Sequence, residues 1–309
     1  MIKVGIVGFG FMGKMHYNNY NILDEARVTA VCDADMNRLK DSSGTTGNIA
    51  GTEEAIDLSG LDLYSDYDKM LQEADVEAVS ITLPTFLHVE STIKALEAGK
   101  HVLCEKPMGL NLAECDRMLE AAQTSGKILQ IGHCVRFWPE YQKTKAYVDS
   151  GEYGSVLAGS FRRLSLTPTW SHENWLMSEQ RSGGMELDLH IHDTDYIDYL
   201  LGTPKAVHSV GAKGAVGGTG HIMTQYLYDD NKAIFAEGGW LMQPSFGFEM
   251  SFNLVLEKAT IVFDCTRDPS FKVCPQDGEA FTPEVASGDG YSRELEHFLQ
   301  SVRGQSVPP

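Results

Sequence analysis

The chain opens with Met1-Ile2-Lys3-Val4-Gly5-Ile6-Val7-Gly8-Phe9-Gly10-Phe11-Met12-Gly13, and this stretch decides the fold. The apolar run over 2–9 predicts a buried strand, and the glycines after it predict a tight turn into a helix. In such a turn Gly8 allows the tight reversal, Gly10 lets the backbone approach a pyrophosphate, and Gly13 permits close helix packing. The helix N-terminus then offers N–H groups and a favourable dipole to an anion. The dinucleotide contacts predicted here are Gly8, Phe9, Gly10, Phe11, Met12 and Gly13.

Asp33 closes the second predicted strand, residues 28–33, about 20 residues beyond the last glycine of the turn. A carboxylate at that place accepts hydrogen bonds from an adenosine ribose and repels a 2′-phosphate, which favours NAD over NADP. A helix-capping or solvated aspartate is the alternative interpretation. Arg38 is close enough in sequence to keep NADP possible.

The first half of the chain alternates short apolar runs with helical patterns, as βαβ units with a parallel sheet do. Further strands are predicted over 77–83, 101–105 and 128–134, and helices over 66–72, 87–98 and 112–124. Residues 41–60 break this rhythm and predict a loop or a short irregular helix. We therefore predict a doubly wound α/β Rossmann domain over residues 1–134.

Residues 135–309 follow a different pattern, which predicts an α+β domain for substrate binding and oligomerisation. A helix is predicted over 139–149, and strands over 156–165, 207–212, 221–228, 233–241 and 249–256 with turn residues between them. These strands indicate a large, mainly antiparallel open sheet. If helices cover one face, the other apolar face is free to bind a second subunit, so we expect a homodimer or homotetramer.

Bulk properties narrow the class of protein. A chain of 309 residues suits two domains, and 25 Lys and Arg against 43 Asp and Glu give a net charge of −18, which argues against a nucleic-acid partner. No apolar stretch approaches the length of a membrane span, and the first apolar run is too short for a signal segment. The six cysteines are scattered, as in proteins with reduced thiols. We expect a cytoplasmic protein with no membrane partner.

Lys106 lies in the sequence Cys104-Glu105-Lys106-Pro107, at the C-terminal end of a predicted parallel strand. Open α/β sheets bind their ligands outside these strand ends, so the lysine faces the predicted crevice. There it could donate a hydrogen bond or a proton to a substrate oxygen. The bond to Pro107 could be cis. A solvated loop lysine is the alternative.

A third group of polar residues opens the longest helix of the second half, in Gly183-Gly184-Met185-Glu186-Leu187-Asp188-Leu189-His190-Ile191-His192-Asp193. Asp188 and His192 are four residues apart and share a helix face, so the carboxylate can orient the imidazole for acid/base work. An exposed ion pair is the alternative. The spacing of His190, His192 and Asp193 is not that of a zincin, so we predict no metal site.

In this order the motifs resemble the Gfo/Idh/MocA oxidoreductases over nearly the whole chain. The resemblance rests on the 8–13 loop, Asp33, the segment Pro84-Thr85-Phe86-Leu87-His88, Glu105-Lys106-Pro107, and Gly183-Gly184 with Asp188 and His192. It implies NAD(P)-dependent hydride transfer on a sugar, cyclitol or related polyol. It also implies that Lys106 is the active-site lysine, that Asp188 helps to bind substrate and that His192 is the general acid/base. Further cofactor contacts are implied for Leu83, Pro84, His88, Glu105 and Lys106.

The chain departs from the family pattern at three places. Thr85 and Phe86 stand where many members have Asn, His190 stands where the residue is often small, and the chain ends at Pro309 where members commonly continue into a further helix. Thr85 and Phe86 would change the contacts that this loop makes with the nicotinamide. His190 would narrow the pocket or add an imidazole to it. The third departure implies a truncated C-terminus or a missing last element.

Candidate substrate contacts flank the segments that carry Lys106 and His192. Aromatic and polar side chains suit sugar binding, although a core Trp or a surface Arg explains each of them equally well. The candidates are Arg136, Arg163, Trp170, His172, Trp175 and His190.

Three functions are compatible with these residues. The first is a dehydrogenase that acts on CH–OH groups. The second is an NAD-retaining glycosidase or epimerase, which would show turnover without net NADH. The third is a non-catalytic dinucleotide or sugar sensor, which would need no acid/base residues.

Overall fold

The structure is a computed structural model that describes residues 1–40, 56–214 and 218–308. It divides the chain into two compact units, one of Met1–Cys134 with Tyr291–Pro309 and one of Val135–Gly290. The predicted loop or irregular helix over 41–60 lies outside the described residues from 41 to 55.

The first unit contains one sheet with helices between its strands. Its elements are β1 (Ile2–Val7), α1 (Phe11–Asn21), β2 (Ala26–Cys32), α2 (Met36–Lys40), β3 (Asp62–Tyr64), α3 (Tyr67–Glu73), β4 (Ala78–Ile81), α4 (His88–Glu97), β5 (His101–Glu105), α5 (Leu112–Ser125) and β6 (Leu129–Gly132). The strand order is β3-β2-β1-β4-β5-β6, and every pair is parallel. This order confirms the predicted Rossmann domain.

The order of this sheet also says where a ligand can bind. The chain runs from β1 outward to β2 and β3, then returns to β4 on the other side of β1. The loops that follow β1 and β4 therefore turn in opposite directions. A crevice forms between them at the carboxyl ends of the two strands. The predicted glycine turn follows β1, and the 84–88 segment follows β4.

The second unit contains a seven-stranded sheet. Its elements are α6 (Pro139–Ser150), β7 (Val156–Leu166), α7 (Glu179–Ser182), α8 (Ile191–Leu201), β8 (Ala206–Lys213), β9 (Thr219–Leu227), β10 (Ala233–Met242), β11 (Glu249–Leu256), β12 (Ala259–Asp264) and β13 (Phe271–Pro275). The order is β13-β12-β11-β7-β10-β9-β8, with β7 and β10 parallel and the other pairs antiparallel. The predicted, mainly antiparallel sheet is confirmed.

The last helix, α9 (Gly290–Val302), corrects the predicted second domain of 135–309. Leu295, Phe298 and Leu299 are almost fully buried in one cluster with β1 and β2 residues such as Val4 and Val28. Residues 291–309 therefore belong to the first unit. The buried positions have the 3-and-4 spacing of an amphipathic helix, but spacing alone does not say which core such a helix joins.

The elements that the sequence analysis missed are short or lack a clear pattern. β3 has three residues and α2 has five, which is too few for periodicity to separate strand from helix. β12 and β13 extend the second sheet beyond the last predicted strand. Among the described residues, no helix has both the length and the apolar character needed to cross a membrane.

The position of α9 predicts that its apolar face stabilises the Rossmann unit. Phe298 is 0% exposed, so Phe298→Ala should leave a cavity and lower the free energy of unfolding by about 3–5 kcal/mol. Urea denaturation followed by circular dichroism measures this. As a control, Leu112→Ala removes a side chain that is 82% exposed and should change stability by about 0.5 kcal/mol or less. Equal effects of the two substitutions would contradict the assignment.

Candidate functional site

The glycine turn after β1 is packed as a phosphate-binding turn requires. Gly8 has a φ of +90°, which favours glycine. A Cβ on Gly13 would lie 2.1 Å from the Gly8 carbonyl oxygen, so no larger residue fits there. A Cβ on Gly10 would instead make no clash, because its nearest neighbour, an Arg38 guanidinium nitrogen, lies at an ordinary contact distance of 3.8 Å. The turn is therefore closed on its protein side and uncrowded at Gly10, the residue that caps α1.

Hydrogen bonds tie this turn to the two neighbouring strands. The Phe9 N–H donates to Asp33 Oδ2 (2.8 Å), and the Gly8 N–H donates to the Cys32 carbonyl (2.8 Å). On the other side the Thr82 hydroxyl donates to the Gly8 carbonyl (2.6 Å). Thr82 was not predicted, and its signal in the sequence is only a hydroxyl residue directly after a buried strand.

Asp33 is buried just after β2, and both of its oxygens already accept backbone hydrogen bonds. Oδ1 accepts from the Asp35 N–H (2.8 Å), while Oδ2 accepts from Phe9. Each carboxylate oxygen has a second lone pair for a ribose hydroxyl. Arg38 lies 3.7 Å from Oδ2 with its side chain 30% exposed. The residues thus fit NAD, and Arg38 stands where it could meet a 2′-phosphate.

Glu105 and Lys106 lie at the carboxyl end of β5, as predicted. His16 of α1 contacts Glu105 Oε1 (2.9 Å), and the Lys106 N–H donates to Oε2 (3.3 Å). Burial raises the pKa of Glu105, but the His16 hydrogen bond and the charges of His16, Lys106 and His88 outweigh burial and lower this pKa. Glu105 is therefore a buried carboxylate directly beside the lysine. The predicted cis bond between Lys106 and Pro107 is confirmed.

His16 was missed by the sequence analysis. It is 1% exposed and lies one helical turn after Gly13, on the part of α1 that faces the sheet. A histidine three residues after the glycine motif is the available signal, but only the fold brings it to a residue 89 positions later.

His88 begins α4, and its ring is buried between the loops that follow β4 and β5. Nε2 lies 2.8 Å from the Leu83 carbonyl oxygen and Nδ1 lies 2.8 Å from the Pro107 carbonyl oxygen. Both ring nitrogens therefore face protein backbone. Leu83 and Pro84 lie in the loop after β4, which continues through a 3₁₀ turn over Thr85–Leu87.

In the second unit, the predicted long helix begins with a π turn over Glu186–His190 and continues as α8. Asp188 lies in the π turn and His192 lies in the first turn of α8, both partly exposed. Single π turns within helices occur often at functional sites. The α-helical spacing assumed for this pair is thus replaced by a wider local turn.

His190 packs into the core of the second unit. It is 5% exposed, and Nε2 contacts the Thr224 hydroxyl (3.0 Å) on β9. The ring lies over Gly238 on β10, where a Cβ would approach it to 2.8 Å. Burial lowers the pKa of His190 more than the charges of Asp193 and Glu186 raise it. Burial therefore favours the neutral form of this imidazole.

The two arginines predicted as substrate contacts both hold carboxylates through two nitrogens. Arg163 on β7 binds Asp193 of α8 at 3.0 and 3.1 Å, and both side chains are buried. Arg136 binds Asp195 at 2.8 and 2.6 Å. These pairs fix α8 against its surroundings within the second unit.

The remaining predicted contacts lie in the segment between β7 and α7. His172 is exposed and Trp170 and Trp175 are partly buried, in a stretch where Glu173 and Asn174 both have a positive φ. Non-glycine residues rarely adopt this conformation, and it occurs most often at functional sites. The segment borders an open cleft lined by Thr167, Leu176, Met177, Glu179, Gly184, Met185, Gly214, Gly218, Thr219, Gly220, Trp240 and Leu241.

The sequence matches two family models in tandem. Residues 2–133 match the Gfo/Idh/MocA oxidoreductase family with an NAD-binding Rossmann fold, and residues 141–262 match the Gfo/Idh/MocA C-terminal domain. The chain belongs to the Gfo/Idh/MocA family. The two matches correspond to the two units of the structure and confirm the predicted resemblance.

Individual relatives in this family differ in their chemistry. The myo-inositol 2-dehydrogenase of Thermotoga maritima is 27% identical over 99% of this chain and 90% of its own length. The 2,7-anhydro-N-acetylneuraminate hydratase of Escherichia coli is 30% identical over 71% of this chain and 55% of its own length. The solved structure of levoglucosan dehydrogenase in complex with NADH and levoglucosan has the same fold, with a TM-score of 0.82 and 22% identity over all of this chain and 92% of that one.

The structure brings the predicted cofactor residues of this Gfo/Idh/MocA protein together at the carboxyl ends of β1, β2, β4 and β5. Asp188, His190 and His192 are grouped separately at the start of the long helix of the second unit. Within the described ranges, no cluster of three or more His, Cys, Asp or Glu side chains is placed to hold a metal ion.

Two substitutions in the glycine turn separate cofactor binding from stability. Gly10→Ala adds a methyl group without a clash and should leave thermal stability unchanged, but it should weaken NAD binding about tenfold or more by blocking the pyrophosphate. Gly13→Ala clashes with the Gly8 carbonyl and should lower both affinity and stability. Calorimetric titration with NAD and thermal denaturation measure the two effects. Full NAD affinity in Gly10→Ala would show that the glycines serve only the turn.

Proposed function

We propose that this chain is an NAD-dependent dehydrogenase that oxidises a secondary alcohol of a sugar, cyclitol or related polyol. The observation that carries the proposal is the turn at Gly10, open to a ligand and held by Asp33 and Thr82 at the switch point of the sheet. Lys106 stands at the end of β5 in the same sheet. Family membership and the similarity to an inositol dehydrogenase support the substrate class.

Oxidation of an alcohol requires the loss of a hydride from carbon and of a proton from the hydroxyl. Bound NAD supplies the hydride acceptor. We assign the proton to the imidazole of His192, because histidine is the side chain best suited to general acid/base work near neutral pH. Lys106 stabilises the negative charge that develops on the substrate oxygen. Asp188 accepts hydrogen bonds from substrate hydroxyls.

Local structure supports these three roles. Lys106 and His192 are both partly exposed, so each can reach a ligand, and the buried Glu105 carboxylate beside Lys106 is already held by His16. Asp188 lies in the π turn just before His192, which keeps the carboxylate and the imidazole on neighbouring turns of one continuous helix. A non-catalytic sensor would not need this combination of Lys106, Asp188 and His192.

The proposed substrate contacts differ in how exposed they are to a ligand. Trp175 and Arg136 are partly exposed and remain proposed contacts. Arg163 and His190 are 4% and 5% exposed and engaged with Asp193 and Thr224, which favours a supporting role for both.

The first test is a search for the substrate. Purified protein is offered NAD or NADP with inositols, aldoses, sugar acids and glycosides, and NADH formation is followed by its near-ultraviolet absorbance. NADH formation with a polyol supports the dehydrogenase, and a preference for NAD supports the role of Asp33. Turnover without net NADH would support the cofactor-recycling alternative, which the similarity to a hydratase keeps open. Binding without turnover would indicate a sensor.

Substitution of the two proposed catalytic side chains tests the mechanism. His192→Ala should lower kcat about 10²- to 10⁴-fold because it removes the acid/base group. Lys106→Ala should lower it about 10²- to 10³-fold because the developing charge loses its partner. NAD affinity should stay near the wild-type value in both.

Lys94→Ala is the matched control, because Lys94 is an exposed lysine of the same unit that pairs with Asp68. It should leave kcat unchanged. Equal loss of NAD affinity in Lys106→Ala and His192→Ala would contradict the assigned roles.

We also propose that the protein forms a homodimer or homotetramer through one face of the second sheet. Phe235 pairs across the sheet with Gln225, and Met223 pairs with Val210, so Phe235, Met223 and Val210 share a face. These three apolar side chains are 44–58% exposed, and all of β8 is exposed. Exposed apolar patches of this kind mark interaction surfaces.

Charge on this face should abolish association. Phe235→Asp should shift the protein toward the monomer in sedimentation velocity, because a carboxylate cannot be buried in an apolar contact without a partner. Leu119→Asp changes a 57% exposed leucine on α5 and should leave the oligomer intact. A wild-type monomer, or an unchanged oligomer in Phe235→Asp, would contradict the proposed interface.

A cytoplasmic location is proposed from the thiols. Cys32, Cys104, Cys115, Cys265 and Cys274 are free cysteines, and the first two are buried. Free cysteines are typical of proteins in a reducing compartment.

A further inference from the structure

His88 is a buried titratable group that the proposed mechanism does not use. Its ring is 1% exposed, and each ring nitrogen lies 2.8 Å from a backbone carbonyl oxygen, of Pro107 at Nδ1 and of Leu83 at Nε2. The two carbonyls come from the loops that follow β5 and β4. The ring therefore bridges two loops at the carboxyl edge of the sheet.

The chemistry of the two partners decides the protonation of the ring. A carbonyl oxygen can only accept a hydrogen bond, so each ring nitrogen must donate one. A neutral imidazole has one N–H and one nitrogen with a lone pair. That lone pair would lie 2.8 Å from a carbonyl oxygen and would be repelled by it. Only the doubly protonated imidazolium satisfies both contacts.

The surroundings of the ring agree with a positive charge. The titratable groups that act on His88 are Cys104 and, beyond it, the Glu105 carboxylate, both at the end of β5. Burial lowers the pKa of His88, but the Cys104 sulfur and the two backbone carbonyls outweigh burial and raise this pKa to about 9. His88 in turn helps to lower the pKa of Glu105.

We propose that His88 is a positioning residue, an imidazolium that ties the loop after β4 to the loop after β5 and so fixes Lys106. Pro107, whose carbonyl it holds, directly follows Lys106, and Leu83 opens the loop with the predicted nicotinamide contacts. The positive charge on His88 follows from its two carbonyl partners and does not depend on which reaction the protein catalyses. The positioning role rests on the proposed function of Lys106.

The charge is tested directly by nitrogen-15 NMR of histidine-labelled protein without cofactor. At pH 7.5 both ring nitrogens of His88, assigned by through-bond correlation, should give imidazolium shifts and lose them only as the pH rises through about 9. His101 is the internal control, because its Nδ1 accepts the Ile128 N–H (3.1 Å) and must lack a proton. An unprotonated nitrogen on His88 at pH 7.5 would overturn the proposal.

The positioning role is tested with His88→Gln. Glutamine has donors at one end only, so one carbonyl loses its partner, and kcat should fall between about tenfold and a hundredfold. The KM for the alcohol should change less. In the wild type the His88 charge is present below pH 9 and lost above it, so kcat should acquire an additional decline through about pH 9 that His88→Gln lacks.

His101→Gln should retain wild-type kcat and its pH profile. Wild-type kcat in His88→Gln, together with an imidazolium signal in the wild type, would overturn the positioning role. If Lys106→Ala retains activity, the proposed function fails, while the NMR measurement on the unaltered protein still decides the charge of His88.

Discussion

The hydrogen bond from the Phe9 N–H to the Asp33 carboxylate is the contact on which the rest of the Rossmann unit's binding edge depends. It connects the turn after β1 to the end of β2, and the Thr82 hydroxyl holds the Gly8 carbonyl from the β4 side. The turn is thus fixed from both sides at the point where strand order reverses. The carboxylate that orders the turn is thus the same one that we propose binds the ribose. One hydrogen bond links the proposed phosphate-binding turn to the proposed specificity residue.

A second constraint is that the buried charge of Glu105, the residue before Lys106, must be compensated. Glu105 is a buried carboxylate, and an isolated buried charge is costly unless nearby groups of opposite charge and hydrogen bonds compensate for it. His16 supplies the hydrogen bond, and Lys106 and His88 supply positive charge. The residues of the motif around Lys106 are consequently interdependent. A buried cation is costly unless it is compensated. The imidazolium proposed at His88 is compensated because its charge balances the Glu105 carboxylate and its two N–H groups donate to backbone carbonyls.

In the second unit, ion pairs position the helix that carries the proposed acid/base residues. The buried pair of Arg163 and Asp193 joins β7 to α8, and Arg136 binds Asp195, two residues further along the same helix. His190 packs beside Gly238 and leaves Asp188 and His192 partly exposed on either side of it. Leu189 and His190, which lie between the two partly exposed residues, are buried and hold the start of the helix against the sheet.

The sequence by itself determined what depends on neighbouring residues. The strand and helix pattern, the glycine turn and the place of Lys106 at a strand end all follow from signals within about ten residues. The partners of those residues depended on the tertiary structure. His16 meets Glu105, His88 bridges Leu83 and Pro107, Arg163 binds Asp193, and α9 returns to the first core. Hydrogen bonds and buried contacts depend on distance in space, and local periodicity carries no information about which distant strand end or helix face will lie within 3 Å.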